Sequence, residues 1–343
     1  MAQDKVTSLD VARRAGVSQS AVSRVFTPGA SVSQTMAEKV RKAADDLKYR
    51  PNVLARTMIT GKSRLIGLVV AYLDNQFYPE ILYKLSRALQ EQGYHVLVFI
   101  APQTSSDIDK VLQEILDYQV DGIVLASVSM SSPLAEQCEA AGVPVVLFNR
   151  TQQDERFSTV TCDNYGGGYQ LAEFLIAGGH KRIAYIAGWE GASTQIEREA
   201  GFRAGLAAHN VDLFARGVGN FNTEEAAAAA YEMFRADIRP DAVFVANDHM
   251  AFAVLDVLRV KLGLNVPEDV SVVGYDDVQI AAWPSFDLTT IRQPSNEMVA
   301  ETVTTLLAQI EEGKATPRHV KTKAPLVIRG SAKKQSQKKI RSE

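Results

Sequence analysis

The sequence predicts a small all-α head joined by a short link to an α/β body built from two similar halves. Three observations carry this. Helix caps and a glycine turn punctuate the first 50 residues at short spacing. From about residue 63 onward, near-continuous apolar runs alternate with helical patterns, as expected of strands buried on both faces of parallel sheets. Charge divides along the same line. Residues 1–62 carry eleven Lys or Arg against five Asp or Glu, residues 63–332 are net acidic, and residues 333–343 are net basic. A basic head on an acidic body fits a nucleic-acid partner that touches only the head.

The chain of 343 residues is long enough for two or three domains and a sizeable core. Its two cysteines, Cys138 and Cys162, suggest neither a disulfide scaffold nor a metal cluster. No N-terminal run resembles a signal peptide and no stretch is apolar for the length of a membrane span. The reducing cytoplasm is therefore the expected compartment.

The head spans residues 1–50. Thr7-Ser8-Leu9-Asp10 fits a capping box, with Asp10 in place of the preferred Glu. Leu9, Val11, Ala12 and Ala15 give a stripe at helical spacing. Gly16 ends that helix and tolerates the left-handed backbone of a tight turn. Ser18 is a cap for a second helix from about Gln19 to Phe26, with Ala21, Val22 and Val25 inward and Gln19, Ser20, Ser23 and Arg24 outward. Two such helices joined by a short turn have helix-turn-helix geometry, in which the second enters the major groove. Pro28-Gly29 ends the unit. Ser33 begins a third helix that runs to about Leu47 and closes the core with Met36, Ala37, Val40, Ala44 and Leu47.

The link is residues 51–62. Asn52 to Met58 can form two helical turns, too few to persist alone in water. Two readings stand: a linker whose Leu54 packs on the head, or a hinge helix that folds on DNA and wedges Leu54 into the minor groove.

In the body, residues 63–332, strands are expected at 64–71, 94–99, 122–125, 143–148, 182–187, 242–246 and 270–274. Helical patterns at 78–92, 107–118, 133–141, 165–177, 195–208, 224–235 and 249–261 separate or flank them. Two such α/β units in tandem leave a cleft, and ligands bind beyond the carboxyl ends of the strands. The residues there are polar: Asp74-Asn75, Asn149-Arg150, Asp163-Asn164, Asn247-Asp248 and Asp276-Asp277. Phe77, Tyr78 and Phe221 add flat apolar surface, which suits a polyhydroxylated or small polar ligand. Asn247 and Asp248 equally suit a helix cap. Gly166-Gly167-Gly168 lacks the strand-first context of a dinucleotide loop, and none of the five histidines sits in a catalytic or metal pattern. No enzyme activity, cofactor or metal is expected.

Head, link and body together resemble the LacI family of bacterial transcription regulators. The motifs are VTSLDVARRAGVSQSAVSRVF, VSQTMAEKVRKAADDLKYRPNVLAR, TGKSRLIGLVV, REAGF at 198–202, VANDHMA at 245–251, VPEDVSVVGYDD at 266–277 and LTTIRQP at 288–294. They cover residues 6–330. The resemblance implies a homodimer on a palindromic operator. Gln19, Ser20 and Arg24 would contact base edges, and Thr7, Ser18, Ser23, Ser33 and Asn52 would position the backbone. Leu54, Ala55 and Arg56 would occupy the central minor groove.

It further implies a two-lobed body of the type I periplasmic-binding-protein kind. The first lobe takes about 63–161 and 293–320, the second about 162–290 and 321–330. Family effector contacts map onto Asn149, Arg198, Phe221, Asn247 and Asp276, with Phe77 and Arg150 beside them. Asn149 stands where several sugar-responsive members carry Asp. With Arg150 and Arg198 nearby, an acidic sugar or other carboxylate and a neutral sugar both remain open. So does the sign of the response, since effectors release most members from DNA but are required by some. A transport component or an enzyme on the same body is the alternative class. The tail, residues 333–343, lacks the leucine heptads of tetrameric members, so a disordered end and a dimer are expected.

Overall fold

The computed structural model describes residues 6–27, 30–50, 62–100, 105–128, 131–313 and 316–334. They fall into two compact units, one up to Arg64 and one from Leu65 onward.

Among the described residues the first unit holds three helices: α1 (Ser8–Ala15), α2 (Gln19–Val25) and α3 (Gln34–Asp46). Val11, Ala12, Val22, Val40, Ala43 and Ala44 form its core, flanked by Val17, Phe26, Met36, Leu47 and Tyr49. Arg14 of α1 pairs with Asp46 at the end of α3 at 3.1 Å. Leu9, expected inward, is exposed. At about 100° per residue it lies roughly 115° round the helix from the centre of the face set by Val11, Ala12 and Ala15. A core this small covers one narrow stripe. The link, including Asn52, Leu54, Ala55 and Arg56, lies outside the described residues.

The second unit has two lobes, each a mainly parallel sheet between helices. The first sheet runs β11-β5-β4-β3-β1-β2 and the second β12-β10-β9-β8-β6-β7, each six-stranded among the described residues. The first is made from β1 (Leu65–Val70), β2 (His95–Ile100), β3 (Gly122–Ala126), β4 (Val145–Phe148), β5 (Ser158–Cys162) and β11 (His319–Thr322). The second is made from β6 (Ile183–Ala187), β7 (Ala215–Val218), β8 (Ala242–Val245), β9 (Ser271–Asp276), β10 (Thr289–Arg292) and β12 (Leu326–Val327). The β10–β12 pair is antiparallel; the others are parallel. The chain crosses between lobes after β5, after β10 and between β11 and β12.

The helices of the body are α4 (Phe77–Glu91), α5 (Ser105–Asp117), α6 (Ser132–Ala140), α7 (Asn164–Ala177), α8 (Ser193–Ala208), α9 (Thr223–Phe234), α10 (Asp248–Asp256) and α11 (Ser295–Glu312). In each sheet a central strand, β1 or β6, has its successor on one side and the next strand on the other. That reversal opens a crevice at the carboxyl ends.

Several elements depart from expectation. Strand β5, Ser-Thr-Val-Thr-Cys, is buried along its whole length. Its hydroxyls are partnered inside, as where Gln309 Nε2 donates to Ser158 Oγ at 2.8 Å, so polarity hides a core strand. The helix expected over 249–261 stops as an α-helix at Asp256 and continues as a π-helical turn, Val257–Lys261. Helix α11 and the short strands β7, β10, β11 and β12 were not among the expected elements. The triple glycine has a packing role: side chains at Gly168 or Gly201 would run into the backbone of the facing helix, so α7 and α8 approach closely only because both lack Cβ there. Lys333 is still docked, its N–H donating to Ser271 Oγ at 2.9 Å, so the body runs slightly past its expected end.

Candidate functional site

The head is built from its caps. Thr7 Oγ1 accepts from Asp10 N, and Thr7 N donates to Asp10 Oδ2 at 2.9 Å, closing the box. The Thr7 hydroxyl beside Asp10 holds its carboxyl below the usual range. Gly16 turns the chain at φ +67°, a conformation an L side chain resists. Ser18 Oγ then accepts from Ala21 N at 3.2 Å and starts α2. Gln19, Ser20 and Arg24 are exposed along α2, and Ser23 is half-buried. Gln19 Nε2 donates to Ser8 Oγ at 2.9 Å, and the Ser18 and Ser20 hydroxyls lie 2.9 Å apart. The two helix starts are thus held side by side. Ser33 occupies the N-cap position of α3, but its side chain makes no capping hydrogen bond.

In the body, side chains from both lobes converge on one cleft lined by Tyr72, Asn75, Tyr78, Ser127, Asn149, Thr194, Arg198, Phe221, Asn247 and Asp276. The cleft with its open mouth has a volume of about 290 Å³. The lobes are drawn together here. Tyr72 meets Phe221 edge-on at 6.1 Å, Thr151 N donates to Ser193 Oγ at 2.9 Å, and Arg150 Nη1 donates to Thr194 Oγ1 at 3.3 Å. His249 Nε2 faces Asp74 Oδ2 across the cleft at 3.8 Å, although burial holds the imidazole below its usual pKa.

Strand ends supply the geometry. Ser127, Asn149, Phe221 and Asp276 all have positive φ. Such backbone costs of order 1–3 kcal/mol per residue and persists where the surroundings enforce it. At the deep end Arg198 is fully engaged. Nε donates to Asn164 Oδ1 at 2.9 Å, Nη1 to the Ala246 carbonyl at 2.7 Å and Nη2 to Asp276 Oδ1 at 3.4 Å, with Tyr275 flat beneath at 3.7 Å. Gln293 Nε2 also donates to Asp276 Oδ1, at 2.7 Å. Burial nonetheless pushes the Asp276 carboxyl up to about 6. Asp248, buried behind it, lies well above the carboxylate range because of the same desolvation and the Asp276 charge.

The chain's relatives match this description. Residues 7–52 fit the family described as bacterial regulatory proteins, lacI family, and residues 172–332 fit the periplasmic binding protein-like domain. The HTH-type transcriptional regulator CelR of Thermobifida fusca is 34% identical over 330 residues, 94% of this chain and 96% of its own. The HTH-type transcriptional repressor PurR of Vibrio campbellii is 32% identical over 332 residues, 96% of this chain and 99% of its own. This chain belongs to the LacI family.

Among solved structures, the lac repressor dimer bound to operator and the anti-inducer ONPF superposes with a TM-score of 0.86 at 28% identity, over 96% of this chain and 99% of that one. A CelR–cellobiose complex gives 0.72 at 32% identity, over 96% and 100%. As a LacI-family member the chain is a regulator and not an enzyme.

Within this LacI-family body, Asn149, Arg198, Phe221, Asn247 and Asp276 are brought together at the cleft. Asn247 also caps α10, its Oδ1 accepting from Met250 N at 3.0 Å. Phe77 is placed elsewhere. Its ring packs on Phe148 at 6.4 Å and on Tyr78 at 5.3 Å inside the first lobe. Adjacent helical residues point about 100° apart, so Tyr78 reaches the cleft and Phe77 supports it. Arg150 lies behind the lining, with Nη2 donating to the Ser127 carbonyl and hydroxyl at 2.9 and 2.8 Å. Tyr72, Ser127 and Thr194 are not singled out by the sequence. Ser127 follows β3 and was legible by the strand-end rule; Thr194 opens α8 and gave no signal of its own.

Proposed function

We propose that this protein is a cytoplasmic homodimeric repressor whose hold on a palindromic operator is set by a small, polar, hydroxyl-bearing effector in the cleft. The observation that carries this reading is the cleft itself. Polar and aromatic side chains from both lobes enclose it, on a chain that also bears a basic helix-turn-helix head. Gln19, Ser20 and Arg24 read base edges in the major groove, while Thr7, Ser18, Ser23 and Ser33 position the head on phosphates. The capped starts of α1 and α2 favour those phosphates through their free backbone N–H groups. Asn52 orients the link on the backbone, and Leu54, Ala55 and Arg56 enter the central minor groove.

The two sites are coupled through lobe closure. Tyr72–Phe221, Arg150–Thr194 and Thr151–Ser193 all bridge the lobes, so a ligand that changes their spacing shifts the first lobe, to which the link is attached. Such a coupling is typically about 1–3 kcal/mol and is reciprocal. The test has two stages. An operator is selected from random duplexes with the full-length protein, and its affinity is then measured across a panel of sugars, sugar acids and nucleobases. The reading requires a palindromic motif and at least one small molecule that shifts operator affinity. Binding without sequence preference, or no response to any ligand that binds the cleft, would reject it.

A further inference from the structure

Among the buried groups of the cleft the charges do not balance: Asp74 is largely exposed, and burial holds the Asp248 carboxyl well above its usual range. Arg198 has Asp276 at 3.4 Å. Arg150 is only 1% exposed, and among the described residues no carboxylate lies within 4 Å of it. Its hydrogen-bond partners are neutral: the Ser127 carbonyl and hydroxyl and the Thr194 hydroxyl. Its Nε is buried without a partner among the described residues. Burial disfavours its charge, Tyr78 and Tyr72 act in the opposite sense, and the Arg198 cation adds to the cost. A buried guanidinium without a counter-ion is costly, and a protein retains one where something else supplies the charge.

A second group is unfinished beside it. Asn149 Nδ2 donates to Tyr78 Oη at 3.4 Å, while its Oδ1 is buried with no donor. The cleft therefore lacks one negative charge and one hydrogen-bond donor, between aromatic walls supplied by Tyr72 and Phe221.

We infer that the effector is a monoanionic hydroxylated carboxylate, a sugar acid rather than a neutral sugar, with its carboxylate balancing Arg150 and a hydroxyl donating to Asn149. This rests on the effector-cleft reading above and specifies its ligand. The size of the imbalance favours a carboxylate over a phosphate: one surplus cation matches one charge, whereas a phosphomonoester near pH 7 brings close to two. The contacts that draw the lobes together over the cleft, Tyr72–Phe221, Arg150–Thr194 and Thr151–Ser193, require the lobes to part for entry. Parting separates Arg150 from Thr194 and frees Nη1 for the incoming anion.

The test pairs each acid with its neutral parent. D-Glucuronate and D-glucose, D-galacturonate and D-galactose, D-gluconate and sorbitol, and glucose 6-phosphate are titrated calorimetrically into the full-length protein. At least one carboxylate should bind roughly tenfold or more tightly than its neutral partner and than the phosphate. Arg150→Gln should erase that preference and Arg150→Lys should restore most of it. Thermal unfolding of the ligand-free variants gives a second measure. Arg150→Gln removes an uncompensated charge and should melt no lower than wild type; a merely structural arginine would melt lower. Neutral sugars binding as well as their acids, no acid binding, phosphate preferred, or an undiminished preference in Arg150→Gln would each overturn the inference. Operator selection by the ligand-free protein reports on the regulator reading separately, so the two can fail independently.

Discussion

Replacing Arg198 with Met tests how the deep end of the cleft is held. Met keeps an unbranched stem out to the position of Nε and removes every polar contact of the guanidinium: Asn164, the Ala246 carbonyl and Asp276. Asp276 then keeps Gln293 as its remaining side-chain donor. Breaking one member of a buried ion pair costs about 3–5 kcal/mol, because the other charge stays buried. Arg198 and Asp276 are each 97% buried at the side chain, so solvent screening gives little discount. For a domain of this size, 1 kcal/mol is about 2–4 °C, so the melting temperature should drop by about 6–20 °C.

The loss should depend on pH with a definite sign. The Asp276 carboxyl, at about 6, already lies above its ordinary value of 3.8, so the native state binds that proton more tightly than the unfolded chain. Wild-type stability from this group therefore falls as pH rises from about 4 to about 6. Arg198 restrains the carboxyl from rising further. Without it the window extends upward, and the variant should regain part of its loss at about pH 5 relative to about pH 8. Adding Asp276→Asn should recover about 1 kcal/mol or more at about pH 8, since neighbours in one network are not additive. Urea unfolding at both pH values, with wild type as reference, measures all three. A loss under about 1 kcal/mol, or an equal loss at both pH values with no rescue, would refute the account of a buried, mutually dependent pair.

Other perturbations separate the parts of the molecule. Arg24→Ala should weaken operator binding by about 1–3 kcal/mol and relax one symmetric pair of base positions; an unchanged motif from random-duplex selection removes Arg24 from base reading. Gly188→Ala should displace Phe221, because a Cβ there would meet the ring well inside contact distance, and effector affinity should fall in calorimetry while operator affinity without effector holds. If affinity is unchanged, Phe221 is not a wall of the bound ligand. Leu54→Ala should bend operator DNA less and weaken specific binding more than non-specific binding, which rests on phosphate charge. Equal bending by variant and wild type leaves Leu54 an ordinary linker residue.

Much of the head was legible locally because its determinants are local. A cap, its box partner and a turn glycine lie within a few residues of one another, so Thr7, Asp10, Gly16 and Ser18 announce two helices and the turn between them. Where the head departs, the cause is packing. Leu9 is apolar but lies off the one face a three-helix core can cover, and Ser23 is drawn half-inside on the same helix as Arg24.

In the body, the sequence alone determined the alternation of buried strands and helices and the polarity of the strand ends, since both follow from side-chain type at fixed period. Family motifs in the sequence pointed to Arg198 and Asp276, which the fold brings together at the cleft. What those residues do to each other belongs to tertiary structure alone. Residues 78 apart in the chain become a buried pair at 3.4 Å. Phe77 and Tyr78, adjacent in sequence, part into core and cleft. Arg150 reads as one cation among 37, and only the folded surroundings reveal that no carboxylate among the described residues answers it. Burial raises the cost of a charge, and burial is a property of neighbours that the linear order does not name.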